Sequence, residues 1–468
     1  MNMKNSRGAE LAKNTAIITI GKISTQFVSF LLLPLYTAVL STSEYGTVDF
    51  VTTLIQFLIP IVSLMIDQGV FRFLLTSNDD QSKKSIITGS IVFQSIINLI
   101  TLALGAITYS FNENQYIIWL LLILTATSYS NLILQIARGV KKTADYALGS
   151  FICSSITIVL NVLFIVDLKF GAVGMLAATF LGNLLATIIM LFKLKTFRYI
   201  SFKAISRDTL NQLLQYSIPL VPNQLSVWVM NSSDRFIVTF ILGTAANGIL
   251  AISHKFPVIF MTFFNIFLLA WHETGAVHYF DEDRDEFFSN TINGLISLFS
   301  TLCIGIVLVL TICFDWLINT VYFDAYYNIP IYMIASMCNV VIGLLGVIYV
   351  ATKKTVEIAK TTVIAAVINI IVHILLISRI GLYAASISTL VGYLIALIYR
   401  IIDAKKYIKI RYNISKYVLM LLIFGISCFI YYMQNKLIAI IALVLFVPFA
   451  LIVNKNMILQ ILARKKVL

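Results

Sequence analysis

The sequence predicts an all-α polytopic membrane protein with about 14 transmembrane helices. They are expected as two six-helix lobes in parallel pseudo-repeat plus two extra C-terminal helices. Three observations carry this: a composition too apolar for a soluble fold, successive apolar runs of spanning length, and a faint internal repeat. Of 468 residues, 59% are apolar and 12% charged, with mean hydropathy +0.93. Soluble domains sit near 45–50% apolar and about 25% charged, and no soluble interior of this size hides the excess. At about 20 apolar residues per span, helices and short loops use the whole chain. No room is left for a soluble catalytic domain.

Apolar runs between charged or turn-rich breaks place the first six spans near 14–40, 46–74, 85–110, 116–138, 147–166 and 171–194. Six more lie near 213–242, 248–271, 291–314, 329–351, 357–377 and 380–402, and two near 416–434 and 437–454. The domain division is therefore 1–200 for helices 1–6, 201–410 for helices 7–12, and 411–468 for helices 13–14 with a basic tail. The basic start up to Asn14 imitates a signal peptide. The run after it is too long for that role and lacks a small-residue cleavage site, so it reads as a retained first helix.

Charge placement predicts orientation. With the N-terminus inside and alternating helices, outer loops hold only Lys169, Arg379 and Lys436 of the 34 Lys and Arg residues. Lys22, Arg235 and Lys255 lie deep within spans, and all the others fall in inner segments or at the inner ends of spans, so both ends are expected in the cytoplasm. The net charge of +13 has the same origin and gives no reason to invoke nucleic acid. The acidic run Asp281–Glu286 reads as a solvated inner loop. Five cysteines show neither CxxC nor Cys/His ligand spacing, so no disulfide framework or metal site is indicated.

The repeat appears as ordered identities between the halves. Ser24, Thr37, Leu40, Thr42 and Gly46 match Ser226, Thr239, Leu242, Thr244 and Gly248. Lys141-Lys142-Thr143 corresponds to Lys353-Lys354-Thr355. Gly171, Thr179 and Gly182 correspond to Gly381, Thr389 and Gly392. Six helices per half is even, so both halves enter from one side and the repeat is parallel.

Ionisable side chains at membrane depth cost several kcal/mol and face a bundle interior or watery cavity. Lys22 lies about 12 Å into helix 1, at about 1.5 Å per residue. Asp67 reaches a similar depth in helix 2, and Arg72 follows near the interface. Asp234 and Arg235 occupy helix 7, with His254 and Lys255 in helix 8. Read plainly, Lys22–Asp67 and Asp234–Lys255 are buried pairs between adjacent helices, and Arg72 snorkels. Read functionally, Lys22, Arg72, Arg235 and Lys255 line a cationic cavity suited to an anion such as a pyrophosphate. Asp67, Asp234 and His254 then pair or carry coupling protons or sodium ions. His373 in helix 11 reads as a satisfied polar contact. No catalytic constellation, phosphate loop or metal motif emerges.

The stretches 14–50 ("NTAIITIGKISTQFVSFLLLPLYTAVLSTSEYGTVDF") and 216–260, with its "SDRF", resemble the polysaccharide-transporter family. That family belongs to the multidrug/oligosaccharidyl-lipid/polysaccharide exporter superfamily and includes O-antigen and capsule-unit flippases. The resemblance implies a V-shaped, monomeric bundle in a bacterial cytoplasmic membrane. It also implies alternating access for an undecaprenyl-diphosphate-linked oligosaccharide, with polysaccharide polymerase machinery as a further partner. No cofactor beyond a coupling ion is implied. The cationic cavity residues would fall on Lys22, Arg235 and Lys255, with Arg72 beside them, and Asp234 matches the acidic member of the "DR" step. Leu32-Leu33 stand at the equivalent first-half positions, which argues against a two-fold symmetric site. Rival readings are a drug/ion exporter of the same superfamily, a lipid II flippase, or a membrane-embedded polymerase or acyltransferase. The short outer loops speak against the enzymes.

Overall fold

The computed structural model describes residues 30–457 apart from 78, 353 and 456. Among them the chain is all helical. The helices are α1 (Leu33–Val39), α2 (Thr42–Ser63), α3 (Ile66–Thr76), α4 (Asp80–Asn112), α5 (Gln115–Gly139), α6 (Thr143–Val162), α7 (Gly171–Lys193) and α8 (Arg207–Ser217). They continue as α9 (Leu220–Leu242), α10 (Thr244–His278), α11 (Arg284–Leu317), α12 (Asp324–Ala351), α13 (Thr355–Ile380), α14 (Tyr383–Ala404), α15 (Ile414–Met433) and α16 (Lys436–Val453). Twelve candidate spans among the described residues are long and apolar enough to cross a membrane. To these the sequence adds α9, which has spanning length but carries Asp234 and Arg235 at its centre, and the first span, whose greater part lies outside the described residues.

Two expected spans are not single helices. The run 46–74 is broken between α2 and α3, where Leu64 and Met65 both adopt left-handed backbone (φ 48° and 56°). Such residues are uncommon and cost about 1–3 kcal/mol each. Ser63 helps to hold the break, its hydroxyl accepting the Met65 N–H at 3.1 Å. The run 213–242 starts earlier, at Arg207, and divides into α8 and α9 beside Pro219. Hydropathy alone could not show either interruption, because the broken turns are as apolar as their flanks. The acidic loop is also shorter than expected: α10 runs to His278 and α11 starts at Arg284.

The chain divides into two compact units after Ser232, within α9. In the first unit, α7 packs along α5 and α6, while α3 packs on α5 and α8. The core around α3 gathers Ile66, Val70, Leu74, Leu132, Ile136 and Leu213. Ser41 begins α2 with a capping box, its hydroxyl accepting the Glu44 N–H while the Glu44 carboxylate accepts from the Ser41 N–H. At the start of α4 the Ser82 N–H donates to Asp79 at 2.7 Å and holds that carboxyl below its usual range. This cap is present above the ordinary carboxylate pKa and is lost as pH falls through the lowered one.

In the second unit α12 is central, with 67% of its spanning window buried, against α10 and α14. α15 and α16 pack on α11, and α16 buries only 11% of its window, consistent with contact to lipid.

The repeat seen in sequence has a local cause in each unit. Gly171 and Gly381 both adopt φ +56° at the turn entering the last helix of their half. A side chain there would be strained. Lys142 N–H bonds to Ala137 O at 2.9 Å and Lys354 N–H to Tyr349 O at 2.8 Å, the same five-residue turn twice. Gly182 and Gly392 sit where α7 crosses α6 and α14 crosses α13. A Cβ at Gly392 would lie 2.9 Å from the Ala365 carbonyl oxygen. Backbone cannot yield as a side chain does, so Gly392→Ala is expected to cost about 1–3 kcal/mol. Thermal unfolding in detergent should show a lowered midpoint, and an unchanged one would place the crossing wrongly.

Candidate functional site

A buried polar cluster lies inside the second unit, around Asp234. This carboxylate is 5% exposed and sits in the middle of α9, in a chain segment otherwise bound for the apolar interior. Its Oδ2 lies 2.8 Å from His254 Nε2 on α10 and accepts a hydrogen bond from the Tyr332 hydroxyl of α12 at 3.4 Å. Its Oδ1 accepts the Arg235 backbone N–H at 2.9 Å. The His254 and Tyr332 rings are 4.3 Å apart. His373 on α13 and Tyr393 on α14 are close enough to interact electrostatically with the same carboxylate. Five helices therefore converge on one acidic group. Moving an unpaired carboxylate there would cost several kcal/mol. A neighbouring imidazole offsets that cost and can exchange a proton with it.

The partner observed for Asp234 is thus His254, where the expected pair was Asp234–Lys255. The helical step of 100° between adjacent residues turns only one of the two toward α9. Lys255 and Arg235 are both half-buried in the second unit. His373 departs from expectation more sharply. It is fully buried, and among the described residues neither ring nitrogen has a hydrogen-bond partner. It is not the satisfied contact its apolar surroundings suggested.

In the first unit, Asp67 lies in the first turn of α3, directly after the left-handed break. It accepts a hydrogen bond from Gln68 Nε2 at 2.7 Å. The positive end of the α3 dipole favours a carboxylate at this position. Arg72 is exposed one turn further on, in keeping with a snorkelling side chain. Lys22 lies outside the described residues, and so does the proposed Lys22–Asp67 pair. The expected cations and acids therefore fall into an Asp67/Arg72 group and an Asp234/Arg235/His254/Lys255 group.

Arg400 escaped sequence reading because it fell beside an inner basic cluster. It is 4% exposed in the last turns of α14. Its Nη1 donates to Ile342 O at 2.7 Å, and its Nε and Nη2 donate to Thr361 Oγ1 at 3.1 and 3.0 Å. One turn on, Asp403 accepts from Tyr349 at 3.0 Å and pairs with Lys406 at 2.7 Å. The guanidinium ties α12, α13 and α14 together, and its bonded partners are neutral. It reads as a structural clasp.

Among the described residues, no group of three or more His, Cys, Asp or Glu side chains could hold a metal ion. The described helices fall into two units, and the titratable cluster around Asp234 lies within the second. The family described as polysaccharide biosynthesis protein matches residues 11–272, over half the chain. This protein belongs to that family. No curated protein matches it. Among solved structures it is similar to the lipid II flippase MurJ in an inward closed conformation. There the TM-score is 0.69 at 15% identity, over 95% of this chain and 100% of that one. An inward-facing multidrug resistance MATE family transporter of the MOP superfamily gives 0.69 at 14% identity, over 83% and 97%. A MOP superfamily transporter from Pyrococcus furiosus, titled for the reverse polarity of its binding pocket, gives 0.56 at 14% identity, over 84% and 95%. These likenesses show a fold shared with that flippase and those transporters.

Proposed function

We propose that this protein is a flippase that moves an undecaprenyl-diphosphate-linked oligosaccharide from the cytoplasmic to the outer leaflet by alternating access, for surface polysaccharide export. Membership of the polysaccharide biosynthesis family supports the substrate class, and the likeness to a lipid II flippase and to multidrug transporters supports a carrier fold. The observation that carries the reading is the sealed Asp234–His254–Tyr332 cluster. A sugar head cannot cross about 30 Å of hydrocarbon without losing its hydrogen bonds, so a carrier must change state around it. A buried acid–imidazole pair is a group whose charge can reset that state.

In this reading Arg235 and Lys255 meet the diphosphate, one as a planar fork and the other as a point charge, with Lys22 and Arg72 as the first-unit cations. Asp234 and His254 carry the coupling ion. We favour a proton, because imidazole already occupies the carboxylate at 2.8 Å and a sodium site needs a shell of oxygen ligands. Both termini face the cytoplasm, and the chain works without enzymatic turnover.

The test is export in cells carrying Arg235→Ala or Lys255→Ala at normal protein levels. Losing one charged hydrogen bond, about 1.5–3 kcal/mol, should reduce export by about tenfold or more. Unchanged export in both variants removes the cationic site. Altered tolerance of cationic drugs, with surface polysaccharide intact, would instead favour the drug/ion exporter.

A further inference from the structure

A second site stands apart from the titratable cluster, in the second unit, where α11 starts, α15 starts and α16 ends. A polar cavity of about 960 Å³ opens there, lined by Arg411, Lys416 and the amides of Asn290, Asn293, Asn413 and Asn454 among others. Among the described residues, no carboxylate lines it. Directly adjoining is an apolar pocket of about 450 Å³ among α11, α12, α14 and α15. The two share Tyr412 and Ile414. A cationic, amide-rich chamber thus continues into an apolar one, at the bundle end that charge placement assigns to the cytoplasm. We propose that this composite cavity binds one anionic phospholipid, with its phosphate at Arg411 and Lys416 and an acyl chain in the apolar pocket.

The polar chamber is built before any ligand arrives. Arg411 N–H donates to Ser289 Oγ at 2.9 Å, Asn293 Nδ2 donates to Arg411 O at 2.8 Å, and Asn413 N–H donates to Asn293 Oδ1 at 2.9 Å. These bonds pin the segment before α15 to α11. Asn413 caps α15 by accepting the Lys416 N–H at 3.1 Å, so the positive end of that helix dipole adds to the local field. Lys416 Nζ reaches the Val453 carbonyl at 3.5 Å, at the edge of hydrogen bonding. Burial pushes the Tyr412 phenol up to about 12, so it stays neutral between the two chambers. Asn454 is 4% exposed, and its Oδ1 has no hydrogen-bond partner among the described residues. It supplies a buried acceptor suited to a glycerol hydroxyl.

Chemistry selects the occupant. A free phosphate would satisfy the cations but leave the apolar pocket without a role. A neutral lipid would fill the pocket but forgo the charge. Basic pockets between spans on the cytoplasmic side suit anionic headgroups, and each basic residue near the surface strengthens that attraction. The apolar side is lined by Met337, Cys338, Leu397 and Met420, where each buried methylene of an acyl chain adds to binding.

The test uses the full chain in detergent micelles, titrated with dioleoyl phosphatidylglycerol, dioleoyl phosphatidylcholine and glycerol 3-phosphate, with bound lipid read by native mass spectrometry. Two basic contacts predict phosphatidylglycerol binding about tenfold or more tighter than phosphatidylcholine, and glycerol 3-phosphate weaker by about 100-fold or more. The double variant Arg411→Gln/Lys416→Gln should bring the two lipids within about twofold. Lys405→Gln/Lys409→Gln removes the same charge outside the cavity and should keep the preference. Equal binding of both lipids by the unmodified protein overturns the proposal. So does a preference that survives the first double variant or vanishes in the second. Glycerol 3-phosphate binding as tightly as the lipid removes the acyl-chain assignment and overturns it too.

Discussion

Asp234→Asn should reduce polysaccharide export by about 100-fold or more, equivalent to about 2.7 kcal/mol, while the protein still reaches the membrane. The amide nearly matches the carboxylate in size. It can still bond to Tyr332 and to His254, its neighbours at 3.4 and 2.8 Å, so the packing of α9, α10 and α12 survives. What it cannot do is gain and lose a proton. Asp234→Ala is a poorer probe, because removing one partner from a buried pair costs about 3–5 kcal/mol in stability by itself. His254→Gln keeps a donor beside Asp234 and should reduce export less, by about tenfold. Export at matched protein levels checks both. Normal export by Asp234→Asn would reduce the cluster to a structural role.

Arg400→Ala should be the most destabilising single change outside that cluster, by about 3 kcal/mol or more. Three guanidinium hydrogen bonds disappear, at about 1.5–3 kcal/mol for a bond to a charged group. A cavity is left among α12, α13 and α14, and its cost adds. Arg400→Met restores most of the volume without burying a charge, so it should recover much of the loss. Thr361→Val, which removes the hydroxyl that accepts from both Nε and Nη2, should cost about 1–3 kcal/mol. Thermal unfolding in detergent separates these cases. Equal midpoints for the alanine variant and the unmodified protein would mean that Arg400 carries no load.

Much of the architecture was legible because one physical quantity, apolar length, sets where a chain crosses a membrane. The spans near 85–110, 116–138 and 171–194 fall within or about the helices found. The repeat was legible through glycines whose demands are local: Gly171 and Gly381 need positive φ, and Gly392 needs a backbone at 2.9 Å. The break at Leu64–Met65 was not legible, since neither residue favours left-handed backbone, and the Ser63 hydroxyl that accepts the Met65 N–H carries no signal that hydropathy reads. In the polar cluster, Asp234 and His254 stood out as charges within spans. Tyr332 and Tyr393 did not, because phenols also serve as interfacial anchors. Arg400 was hidden for the converse reason: in sequence it adjoins Lys405 and Lys406, and only the fold shows that it turns inward.

Delivery of a lipid-linked oligosaccharide to the outer leaflet is the activity proposed for this protein. Deletion of its gene followed by leaflet-resolved analysis of undecaprenyl-linked oligosaccharides tests it most directly. Accumulation on the cytoplasmic face is expected, reversed by the unmodified protein but not by Asp234→Asn or Arg235→Ala. Normal outer-leaflet delivery in a deletion strain without redundant flippases would contradict it.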